Sequence, residues 1–142
     1  MSAADESLSL LIGRTAKGLS RAFDDALVAA GGSAPVWQVL LALQSGAHRT
    51  QGELAEAIGI RQPTLTHHLD AMERAGLVTR ERVDGNRRVQ QVGVTELGER
   101  LFLRLRRAAS AFDGRLRAGL SDGDVATLRT LLGQVAENAQ PD

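Results

Sequence analysis

The 142-residue chain has no cysteine, no tyrosine, one tryptophan and three phenylalanines. Without cysteine there is no disulfide frame, thiolate metal site, thiol nucleophile or thiol redox sensor. Aromatics make up 3% and hydrophobic residues 43%, so the core has to be built mainly from Leu, Val and Ala, a mix that favours helices over a sheet sandwich. Net charge is also lacking, because 17 Lys and Arg balance 17 Asp and Glu. Attraction for a polyanion must therefore come from local placement of charge. No apolar run is long enough for a bilayer span, and the first seven residues carry Asp5 and Glu6 but no basic stretch. The chain reads as a soluble, cytoplasmic protein of one domain, residues 1–142.

Catalytic patterns are missing as well. Fifteen glycines make no phosphate-binding loop after a strand, and no Ser/His/Asp set occurs, so the chain reads as a non-enzyme that needs no cofactor. Its three histidines are His48, His67 and His68. Adjacent helical residues point about 100° apart, so His67 and His68 make a poor chelating pair and no metal is expected.

Helical periodicity is what remains. Leu8, Leu11, Ile12, Thr15, Leu19, Ala22, Phe23, Ala26 and Leu27 predict a long first helix that stops at Gly31-Gly32. Its Arg14, Lys17 and Arg21 form a basic stripe, read as a solvated face. Ser33 caps a second helix with Pro35 in its first turn and Trp37, Leu40, Leu41 and Leu43 on its buried side. Thr50 and Glu53 form a capping box, so a third helix starts at Gln51, with Leu54, Ala55 and Ile58 inward. Gly59 turns the chain, and a fourth helix runs from about Gln62 to Ala75 with Pro63 in its first turn. Leu65, Leu69 and Met72 face the core. The other side presents Gln62, Thr64, Thr66, His67, Asp70 and Arg74, short or forked polar groups suited to base edges and phosphates in a major groove about 12 Å wide.

Gly76 closes that helix, Leu77 to Val83 alternates as a strand, Asp84-Gly85 signals a hairpin turn, and Val89 to Val94 returns as its partner. Asn86, Arg87 and Arg88 occupy the tip, with Arg80 and Arg82 on one strand face. Guanidinium groups there suit phosphate oxygens and narrow minor grooves. Helix, turn, helix and basic hairpin together predict a mainly α (α+β) fold, a winged helix-turn-helix over 34–95. Thr95 caps a further helix carrying Leu97, Leu101, Leu105, Ala108, Phe112, Leu116 and Leu120, expected to reach about Gly119. Ser121 caps the last helix, with Leu128, Leu131, Leu132 and Val135 on one face. One winged unit cannot bury all these stripes, so the segments 7–31 and 96–139 are predicted to be long N- and C-terminal dimerisation helices of a homodimer.

Taken together, Trp37-Gln38-Val39-Leu40-Leu41-Ala42-Leu43, Glu53-Leu54-Ala55-Glu56-Ala57-Ile58-Gly59-Ile60, Thr64-Leu65-Thr66-His67-His68-Leu69, Gly76-Leu77-Val78-Thr79-Arg80, Arg87-Arg88 and Thr95-Glu96-Leu97-Gly98 resemble the MarR family of bacterial transcriptional regulators over nearly the whole chain. The resemblance implies a dimer of winged helices on palindromic operator DNA, usually repressing and usually released by a small ligand. The expected DNA-binding residues are Arg61, Gln62, Pro63, Thr64, Thr66, His67, Arg74, Arg80, Arg87 and Arg88. His67 and Asn86 stand where the family often has arginine and aspartate, which bears on base preference and on how a wing arginine is oriented; Asp84 is the substitute carboxylate. Arg14, Trp37 and Phe112 are the candidates for an effector pocket. A winged helix that docks proteins without DNA is the alternative, and it suits the zero net charge and the carboxylates Asp70 and Glu73.

Overall fold

Helix α1 (Leu8–Ala29) starts where the Ser7 hydroxyl accepts the Leu10 N–H, and it ends before Gly31, whose φ of 97° only glycine adopts freely. The computed structural model describes residues 5–83 and 85–141, and the side chains of Val83, Asn86, Arg87 and Arg88 also lie outside the description. Ser33 caps α2 (Ala34–Gln44) by accepting the Val36 N–H, and Pro35 fits the first turn, where its missing donor is not needed. Leu40 is buried as expected, but Leu41 is 47% exposed and Val39 takes the inward place. Trp37 is half-buried and stacks on Phe102 at 5.6 Å between centroids.

Thr50 caps α3 (Gln51–Ile58) by accepting the Glu53 N–H at 3.1 Å. The box is not reciprocal in the way its spacing predicts, because the Glu53 carboxylate accepts the Thr50 hydroxyl at 2.8 Å instead of a backbone amide. Gly59 at φ 80° turns the chain into α4 (Gln62–Arg74), whose Leu65, Leu69 and Met72 are all buried. The hairpin is β1 (Val78–Val83) against antiparallel β2 (Asn86–Val94). β2 begins three residues earlier than alternation predicts, because Val83 pairs with Asn86 across the turn. Register then shifts: Arg82 pairs with Gln90, so residues 87–89 have no partner opposite among the described residues. Gly85 has a φ of 82°, as a tight hairpin needs, whereas Asp84 lies outside the described residues. A bridge between Thr50 and Gln91, with the Val92 N–H on the Arg49 carbonyl at 2.7 Å, ties the hairpin base to the start of α3.

The chain divides into two compact units, 1–109 and 110–142, with α5 (Glu96–Leu116) running across the division. In the first unit, Leu101, Phe102 and Leu105 of α5 join Leu27, Leu40, Leu54, Leu65, Leu69, Val78 and Val92 in one core. α5 enters through a tight crossing. Thr95 Oγ1 donates to the Gly76 carbonyl at 2.6 Å and accepts the Gly98 N–H at 3.1 Å, which brings the buried Gly98 against the Leu77 carbonyl. In the second unit α5 ends at Leu116, three residues short of Gly119, and the Arg115 guanidinium lies 5.3 Å from the centre of the Phe112 ring. Ser121 and Asp124 form a reciprocal capping box for α6 (Asp122–Asn138), which has no buried residue. Leu128, Leu131 and Leu132 are 48%, 58% and 45% exposed there, as are Leu116 and Leu120 of the predicted stripe at 42% and 46%. No single helix among the described residues is long and apolar enough to cross a membrane.

Candidate nucleic-acid interface

The exposed side of α4 is set by the three inward residues opposite it. Arg61, Gln62, Pro63, Thr64, His67 and Arg74 are all exposed. Arg61 occupies the N-cap and gives no side-chain hydrogen bond to the first turn, so that turn's amides stay open to an outside acceptor. The side chains of Arg61, Gln62, Thr64 and Arg74 make no hydrogen bond or ion pair among the described residues, and the His67 ring meets only His68 there, 6.0 Å away between centroids. Polar groups in this state keep their full donor and acceptor capacity for a ligand. Thr66 differs. It is half-buried and accepts a hydrogen bond from Gln51 Nε2, which joins the first turn of α3 to the second turn of α4.

The hairpin contributes the second part of the surface. Arg82 is exposed, while the backbone of Arg87 and Arg88 lies in β2, in the stretch without partners across the ladder among the described residues. A polar cleft of about 440 Å³ separates the helix from the hairpin, with Gln51, Gln62 and Thr66 on one side and Val89 and Gln90 on the other.

Arg80 also lines that cleft, and its placement departs from the sequence expectation. It donates from Nη2 to Asp70 at 2.6 Å and to Glu73 at 3.3 Å, and from Nε to Glu73 at 3.4 Å, with its side chain only 15% exposed. Glu73, accepting from two guanidinium nitrogens, does most to hold the group charged; burial opposes it, and Asp70 adds to it, so the pKa lies above the ordinary arginine value. A guanidinium committed to two carboxylates is not a free cation for a phosphate. Sequence spacing hides this arrangement because the partners stand seven and ten positions upstream on another element.

The effector candidates are each engaged within the chain. Arg14 pairs with Glu6 at 2.7 Å, Trp37 is stacked on Phe102, and Phe112 carries Arg115 over its ring. His68 is half-buried beside Met72 and Val36, in keeping with a packed residue. Among the described residues no three His, Asp or Glu side chains gather as a metal-ligand set.

This geometry can place a convex polar helix in a groove and a hairpin on the flanking backbone. Comparison with known proteins agrees with it. Residues 31–89 match the family model described as MarR family. The transcriptional repressor CouR bound to a 23-mer DNA duplex is similar over 96% of both chains, at 26% identity with a TM-score of 0.82. A cysteine-substituted MarR from E. coli complexed with operator DNA is similar over 90% of this chain and 92% of its own, at 25% identity with a TM-score of 0.78. A MarR family transcriptional regulator from Rhodococcus sp. shares 28% identity over 93% of this chain and 96% of its own, with a TM-score of 0.73. CouR bound to p-coumaroyl-CoA is also similar, at 25% identity over 96% of both chains, with a TM-score of 0.76.

Proposed function

We propose that this chain, whose residues 31–89 match the MarR family model, is a member of that family and a sequence-specific DNA-binding transcriptional regulator, a repressor that holds palindromic operator DNA as a homodimer. One observation carries the reading: Gln62, Thr64, His67 and Arg74 of α4 are exposed, with side chains free of hydrogen bonds and ion pairs among the described residues, beside a basic hairpin, in a fold whose relatives CouR and MarR were solved on duplex DNA. Residues 34–95 are the DNA-binding core, and the helices of 7–31 and 96–139 pair the two copies. Gln62, Thr64 and His67 face base edges. Arg61, Arg74, Arg87 and Arg88 hold phosphates, with Pro63 fixing the entry of α4 and Thr66 steadied by Gln51. The chain regulates and does not catalyse, and it works where chromosomal DNA is, in the cytoplasm.

The p-coumaroyl-CoA form of CouR supports release by a small molecule. A ligand that binds one dimer geometry better than another moves the population away from the spacing the groove requires. Selection of bound fragments from random duplex DNA is the decisive experiment. It should return a palindrome with half-sites about 10 bp apart, and enrichment of no sequence would sink the reading.

Self-association has its own test. Leu131 and Leu132 are 58% and 45% exposed on α6, and burying a leucine fully is worth about 1.5–3 kcal/mol. In a twofold dimer Leu131→Asp with Leu132→Asp alters four side chains. The double variant should run as a monomer by light scattering at micromolar concentration, where the unsubstituted chain runs as a dimer. A monomeric mass for the unsubstituted chain contradicts the proposed assembly.

A further inference from the structure

Arg80 lies within β1, paired across the ladder with Val92 of β2, and its guanidinium reaches back to two carboxylates of α4. Asp70 and Glu73 are three residues apart and therefore share one face of that helix. A planar guanidinium has fixed donor directions, so holding two carboxylates fixes both where α4 lies along the hairpin and how far it is rotated. Lysine, a point charge on a flexible stem, cannot impose that geometry. Arg80 lines the cleft between α4 and the hairpin, and no other ion pair among the described residues joins α4 to β1 or β2.

We propose that Arg80 is a positioning residue for operator recognition: it locks the recognition helix to the wing, so that base-reading and phosphate-holding groups engage the duplex together. The inference rests on the DNA-binding reading above. Base readout depends on the helix being placed to within a hydrogen-bond length, whereas phosphate attraction tolerates displacement. Loss of the lock therefore removes discrimination between sequences before it removes affinity for DNA.

The test compares binding of a selected operator duplex and an unrelated duplex of equal length, across a salt series, for the unsubstituted chain, Arg80→Gln, Arg80→Lys and Asp70→Asn with Glu73→Gln. Melting temperature and active fraction are measured for each protein. Arg80→Gln should lose at least tenfold in affinity for the operator while the unrelated duplex and the salt slope change little. Arg80→Lys keeps the charge and should recover only part of the discrimination. The paired carboxylate variant gives the sharpest contrast, because it removes two negative charges near the DNA and should still lower operator discrimination. A phosphate-contacting Arg80 predicts the opposite. Arg80→Gln would then weaken both duplexes alike and reduce the salt slope by about 1.8, one phosphate from each protomer, and the carboxylate variant would tighten both. That pattern overturns the proposal, as does a lower melting temperature with an unchanged operator-to-unrelated ratio in the active fraction. If Arg80→Gln does not fold, the carboxylate variant decides alone. Absence of salt-dependent binding by the unsubstituted chain overturns the DNA reading and this inference together; binding with unchanged discrimination in every variant overturns only the inference.

Discussion

Arg87→Ala with Arg88→Ala removes four arginines from the dimer and should weaken binding to the operator and to unrelated duplex alike, by roughly 900-fold at 0.15 M salt, if each arginine neutralises one phosphate. The physical origin is counterion release. Each neutralised phosphate contributes about 0.9 to the slope of log affinity against log salt, so the four arginines of the dimer together should account for about 3.6 of that slope. Both numbers have to move together. The backbone of these residues lies in the part of β2 without partners opposite among the described residues, and alanine keeps the backbone donors and acceptors, so the melting temperature should hardly change. An unchanged slope with unchanged affinity would remove the hairpin from the DNA contact and return weight to a protein-docking role.

Gly98→Ala should have the largest effect on stability. A Cβ at this position would stand 2.2 Å from the Leu77 carbonyl oxygen and 2.8 Å from Val94 Cγ1. The first obstacle is backbone, which cannot rotate away as a side-chain tip does. Alanine in a helix gains up to about 1 kcal/mol over glycine, and forcing an extra carbon into a filled site costs typically about 1–3 kcal/mol. Overpacking should win here because the crossing is also pinned by the Thr95 bonds to Gly76 and Gly98. The expected result is a melting temperature several degrees lower. Gly13→Ala is the control. Its Cβ would meet nothing within 4 Å, so the helix preference should act alone and raise stability. Equal shifts in the two variants would show that the Gly98 crossing is not tight.

Much of this fold is legible in the chain because the signals are local. Ser33, Thr50, Thr95 and Ser121 each cap the helix that follows, and Gly59 turns where the sequence says it must. Burial was less readable than helicity. Leu41, Leu97, Leu116 and Leu120 sit on apolar stripes yet are exposed in the single chain, which is what a stripe meant for a second copy would show. Phe102 escaped notice because it adjoins Leu101 and falls off a strict one-residue stripe, although a two-residue-wide face would have included it. The early start of β2 was hidden in Asn86, Arg87 and Arg88, a polar run with no alternation to read. At the candidate site the exposed row of α4 followed from periodicity. The ties of Thr66 to Gln51 and of Arg80 to Asp70 and Glu73 did not, because those pairs meet only after distant elements pack.

The register shift between Arg82 and Val83 separates the hairpin into two mechanically different parts. Below it, the pairs from Val78↔Val94 to Arg82↔Gln90 hold the alternation that buries Val78 and Val92, and a one-residue slip there would turn both valines outward. Above it, the ladder has already absorbed an offset, much as an expansion joint does. Changes in length or composition at the tip can thus be taken up without reaching the core, leaving the end of the hairpin free to diverge while the frame that carries it stays fixed.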